Sequence, residues 1–81
     1  MKRPQTDAER EVSRLERELR MAQRKSEKAM EARMRVAPGS SRARVTTANA
    51  NWARAAEQRD RVAVRLDAAR ARLAAEQAGA S

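Results

Sequence analysis

Arg33, Arg35, Arg42 and Arg44 stand on either side of Pro38-Gly39-Ser40-Ser41, inside a stretch from Ala32 to Ala56 that contains no acidic residue. Guanidinium groups gathered without carboxylates among them suit an anion, because each presents several N–H donors in a rigid fork that matches phosphate oxygens. Ser40, Ser41, Thr46 and Thr47 add hydroxyls to the same region, and Asn49 and Asn51 add amides able to reach a nucleic-acid backbone or base edge. Arginine near the end of one helix suits its dipole. Arg42 and Arg44 fall instead at the start of the next helix, where the positive dipole end already favours negative charge. Cations at that place make sense with an anion seated between them. The positions nominated for nucleic-acid contact are Arg33, Arg35, Ser40, Ser41, Arg42, Arg44, Thr47 and Asn51.

Other chemistry is excluded by residue type. The chain has no Cys and no His, which removes disulfides, thiol nucleophiles, imidazole acid–base catalysis and ordinary zinc sites. Its carboxylates are spread along helix faces, so the expectation is a non-catalytic protein with no cofactor, no metal and no small-molecule substrate. The 19 basic and 11 acidic residues leave a net charge of +8, which favours nucleic acid or an acidic protein as partner. No apolar run approaches the roughly 18 residues of a membrane span. The apolar faces also lack the large residues that drive insertion into a membrane surface. Met1-Lys2-Arg3-Pro4 leads into polar sequence, and the expected setting is cytoplasmic, with no membrane partner. Lysine is confined to Lys2, Lys25 and Lys28; with the abundant Ala, this usage suggests a small bacterial or phage protein.

Two helices must carry the tip. Thr6 and Glu9 form a capping-box pattern, with Asp7 placed to favour the dipole, so helix 1 is expected over about 7–36. Ala8, Val12, Leu15, Leu19 and Ala22 alternate spacings of four and three, and the stripe continues through Ser26, Ala29 or Met30, and Val36. Pro38 disfavours helix at Ala37, Gly39 can take the left-handed cap conformation, and Ser40 or Ser41 can cap the second helix. This predicts a turn over about 37–41 and helix 2 over about 42–77, fraying in Gln77-Ala78-Gly79-Ala80-Ser81. Helix 2 repeats the pattern through Val45, Ala48, Trp52, Ala55, Arg59, Val62, Leu66, Ala69 and Leu73. The reading is an all-α protein of one domain, residues 1–81, built as a two-helix antiparallel coiled-coil hairpin. Folding back at Gly39 sets Val12 near Leu66, Leu15 near Val62 and Ala63, and Ser26 near Trp52.

Trp52 falls on the seam of helix 2, which makes it a core anchor before it is a stacking platform. Met30 and Met34 are expected to fill gaps around it, while Met21 is available as adaptable surface. Arg59 and Ser26 interrupt the seam; Arg59 is expected to lay its stem over it and send its head group to Glu16 or Glu18. A second stripe on helix 2, Ala50, Ala53, Val64, Ala68, Ala71 and Ala75, either packs a further helix or supports helix propensity on a solvent-facing surface. So small an apolar inventory predicts a partner. The expected oligomer interface is Val64, Ala68, Ala71 and Ala75, joining two hairpins as a homodimeric four-helix bundle. The stripe alone is covered equally well by a parallel or an antiparallel second copy. The same face offers an alternative function, that of a structural or adaptor coiled coil binding another protein in an assembly or scaffold.

Overall fold

A computed structural model describes residues 4–79. It is all-helical among these residues: α1 runs from Asp7 to Met34 and α2 from Arg42 to Gly79, packed along each other in a rod of 62 × 24 × 13 Å. The capping box at the start of α1 forms as the spacing predicts. Glu9 N–H donates to Thr6 Oγ1 at 3.2 Å, and Thr6 N–H donates to Glu9 Oε1 at 3.4 Å. Thr6→Ala is expected to remove about 1 kcal/mol of stability, read as a lower urea midpoint with an unchanged slope.

Helix 1 ends at Met34, two residues short of the predicted boundary. Proline at 38 pushes Ala37 out of helical geometry, and the loss reaches back into the preceding turn. Arg35 N–H still bonds Glu31 O at 3.0 Å, while Val36 N–H closes a shorter, three-residue turn onto Arg33 O at 3.3 Å. The chain then reverses through Ala37–Ser40, closed by Ser40 N–H donating to Ala37 O at 3.0 Å. Pro38 and Gly39 occupy the central positions, with Gly39 at φ +88, as a type II turn requires. Glycine thus serves the turn and not the helix C-cap. A Cβ at Gly39 would meet nothing within 4 Å, so Gly39→Ala is expected to cost about 1 kcal/mol from conformation alone, measurable by thermal unfolding. Ser41 caps α2, its Oγ accepting from Arg44 N–H at 3.3 Å. Helix 2 continues past the predicted end to Gly79, since nothing in its Ala-rich last turns stops it sooner; Ala80 and Ser81, like Met1, Lys2 and Arg3, lie outside the described residues.

The interhelical register differs from a fold-back at Gly39. Arg72 Nη1 meets Glu11 Oε2 at 3.5 Å, Arg59 Nη1 donates to Ser26 Oγ at 3.1 Å, and Arg33 Nε donates to Asn49 Oδ1 at 2.7 Å. Each pairs a residue of α1 with one between one and two turns later in α2 than expected. The cause is the connection. Non-helical chain covers up to about 3.3 Å per residue against 1.5 Å in a helix, so residues 35–41 span the height of several helical residues. Since Arg33 is level with Asn49, the first two turns of α2 project roughly 10 Å past the end of α1, with the loop lying beside them.

Apolar packing is concentrated at the opposite end. Val12, Leu15, Leu66 and Ala69 form the buried cluster, with Leu19 and Leu73 against it. Val12 and Leu66 both belong to it. Ala8, Ala22, Val62 and Ser26 complete the buried set. Toward the tip the helices are joined mainly through polar groups. Arg59 does not reach Glu16 or Glu18: its guanidinium holds Ser26 on one side and Asp60 on the other, Nε to Oδ1 at 3.2 Å, because the register places α1's Ser26 beneath it.

Candidate functional site

The projecting start of α2 is basic and holds no acidic residue. Arg42 and Arg44 open the helix and no acid stands in its first turn. The amide N–H groups of Arg42 and Ala43 make no hydrogen bond among the described residues, the Ser41 cap being used by Arg44. Arg35 ends α1 in helical conformation, φ −80 and ψ −11, with its side chain exposed.

Charge pairing is confined to the body, and is partial there: Arg14, Arg17, Arg20, Arg24, Arg65 and Arg70 make no ion pair among the described residues. Among the described residues the ion pairs join Arg10 to Asp7, Arg59 to Asp60, Arg61 to Glu57, and Arg72 to both Glu11 and Glu76. None involves Arg35, Arg42, Arg44 or Arg54. The register brings no carboxylate of α1 into an ion pair with these groups, although Glu27 and Glu31 of α1 border the stretch at Trp52. Exposed ion pairs contribute little stability, so the difference matters for where an outside anion is drawn.

Arg44, Thr47 and Asn51 are gathered on one side of the projection. They line a shallow depression with Ala32, Val36, Ala43 and Ala48, in which the loop residue Val36 forms an apolar floor against α2. Spacings of three and four put the polar three on a single helix face. Ser40 is half-buried in the turn and Ser41 spends its oxygen on the cap, so both shape the loop as well as bordering the site.

Arg33 is set apart from this group. Its guanidinium carbon lies 4.9 Å from the Trp52 ring centroid, its Nε bonds Asn49 Oδ1, and its Nη1 is 4.0 Å from Met30 Sδ. The longer connection explains this, since it levels α1's last turn with Asn49 and Trp52 instead of with Arg42. Asn49 is engaged by the same contact. Trp52 is half-buried and lies outside the buried cluster; it lines a depression with Ser26, Glu27, Met30, Glu31 and Arg59. Met30 shares that depression as expected of a gap-filler, whereas Met34 is 78% exposed. Cation–π stacking over tryptophan orders the Arg33 head group. The signal for it is the i, i+3 spacing of Asn49 and Trp52, legible only once the register is known.

The nominated interface residues Val64, Ala68, Ala71 and Ala75 are all exposed; Ala68 borders a depression that α1 also lines, with Glu11, Arg14 and Leu15. No helix among the described residues is long and apolar enough to cross a membrane. No family model, curated protein or solved structure matches this chain.

Proposed function

We propose that the protein is a non-catalytic, cytoplasmic nucleic-acid-binding hairpin whose tip holds phosphates. The observation that carries this reading is the lack of acids around the tip arginines: Arg35, Arg42 and Arg44 are exposed, make no ion pair among the described residues, and lie within a stretch, Ala32 to Ala56, that holds no acidic residue. Arg44, Thr47 and Asn51 share one depression and supply a charged fork, a hydroxyl and an amide to the same ligand. Arg33 contributes charge from the neighbouring side, held by Trp52 and Asn49. Binding of this kind is dominated by counterion release and weakens steeply with salt.

Fluorescence anisotropy against duplex DNA, single-stranded DNA and RNA, each at low and near-physiological salt, tests the reading and ranks the substrates. Saturable binding that falls with salt is expected. A chain with this charge that binds none of the three at low salt does not have this function.

The second reading is the adaptor or scaffold role, favoured by one observation: Val64 is 68% exposed in the middle of an otherwise small-residue face. Under either reading the hairpin self-associates through Val64, Ala68, Ala71 and Ala75, burying an apolar face that one hairpin leaves in water. A monomeric mass by light scattering at tens of micromolar rules that association out.

A further inference from the structure

The outer face of α2 carries a charge pattern as well as an apolar one. From Arg61 onward it runs through Val64, Ala68, Ala71 and Ala75 at alternating spacings of three and four, the repeat of a coiled-coil seam. Asp60 and Asp67 stand immediately before the positions of Arg61 and Ala68. Arg65 and Arg72 stand immediately after Val64 and Ala71. The seam is thus bordered by acids along one flank and by arginines along the other, and all four charged side chains are exposed. Among the described residues Asp67 is the acid of α2 that has no partner within the chain, and Arg65 is unpaired on the opposite flank; Asp60 and Arg72 already make exposed ion pairs.

Opposite flanks of opposite sign discriminate between the two ways of covering the seam. When two helices pack in parallel about a two-fold axis running along them, the flank before the seam on one helix lies against the flank after the seam on the other, displaced by five residues. That sets Asp60 beside Arg65 of the second copy and Asp67 beside Arg72 of the second copy, twice over by symmetry. An antiparallel pair brings like flanks together, acids against acids and arginines against arginines. We propose that the occupant of this face is a second copy of the chain, docked α2 to α2 in parallel. The inference deepens the self-association proposed above and rests on it, but not on what the tips bind. Its consequence is that both basic tips project from the same end of the assembly. Their mutual repulsion then opposes pairing, and a polyanion spanning both tips strengthens it.

The chain lacks cysteine, so single thiols report orientation cleanly. Val64→Cys and Ala75→Cys are prepared separately, oxidised alone and as a mixture, and compared with light scattering of the wild-type chain. Parallel pairing predicts that each variant forms a disulfide with itself. A disulfide that appears only in the mixture, joining 64 to 75, overturns the orientation while leaving self-association intact. A wild-type dimer with no crosslink in any sample overturns this face as the contact, and a wild-type monomer overturns self-association itself. Asp67→Arg is expected to weaken the dimer about tenfold by setting arginine against Arg72 of the second copy, with recovery when Arg72→Asp is added. Unchanged association in Asp67→Arg contradicts the pairing.

Discussion

Changing Arg35, Arg42 and Arg44 together to alanine is expected to leave the hairpin folded and to remove most of its affinity for nucleic acid. Each phosphate contact contributes about 0.9 to the slope of log affinity against log salt on duplex DNA, so losing three flattens the slope by about 2.7. At salt near 0.1 M that slope change corresponds to a fall in affinity on the order of 100- to 1,000-fold. Helicity should be retained, because the three side chains are exposed and make no ion pair whose loss would matter. Arg33→Ala is the informative companion. Its guanidinium is occupied by Trp52 and Asn49, so it should change tryptophan emission clearly and affinity by less than any one of the other three. Equal losses from Arg33 and Arg44 would mean that the Trp52 contact does not hold Arg33 in solution.

Leu66→Ala carries the largest expected effect on stability. Leu66 and Leu15 are each 2% exposed and belong to the same buried apolar cluster. Truncating a buried leucine costs about 2–5 kcal/mol, against a total of roughly 4–12 kcal/mol for a chain of this length. The core has little else to fall back on: apart from Val12, Val62, Leu19 and Leu73, its other members are alanines and a serine. Loss of about 10–25 °C in Tm, or failure to fold at 37 °C, is expected by circular dichroism. Val64→Ala, on the exposed face, should shift the monomer's stability by less than about 0.5 kcal/mol. A Leu66→Ala chain as stable as wild type would mean that the seam between α1 and α2 is not the core.

The helices themselves are legible in the sequence because their signals are local. Thr6 and Glu9 reach each other within one turn, and Pro38 and Gly39 dictate a reversal wherever they occur. The inner stripe predicts most of the buried residues for the same reason: spacing alone decides which side chains share a helix face. Height is a different matter. Register depends on how much length the connection consumes, and residues 35–41 consume more than a tight fold-back does. That one quantity brings Arg59 onto Ser26, which still shares a depression with Trp52, takes Arg33 away from Arg42 and Arg44, and leaves Trp52 beside a guanidinium instead of inside the apolar cluster. At the tip, Arg44, Thr47 and Asn51 share a depression as their spacing implies, since they lie on one helix face. Arg33, across the connection, is the member whose placement spacing could not decide.

Amide chemical-shift mapping on the isotope-labelled chain, titrated with a short DNA duplex at low salt, locates the anion-binding surface directly. Shifts concentrated on Arg35 and on the projecting start of α2, at Arg42, Ala43, Arg44, Thr47 and Asn51, with lesser change at the Trp52 indole, are the predicted result. Shifts spread along Arg61, Arg65 and Arg72 with the tip unmoved would contradict it, and would place the binding surface on the outer face of α2.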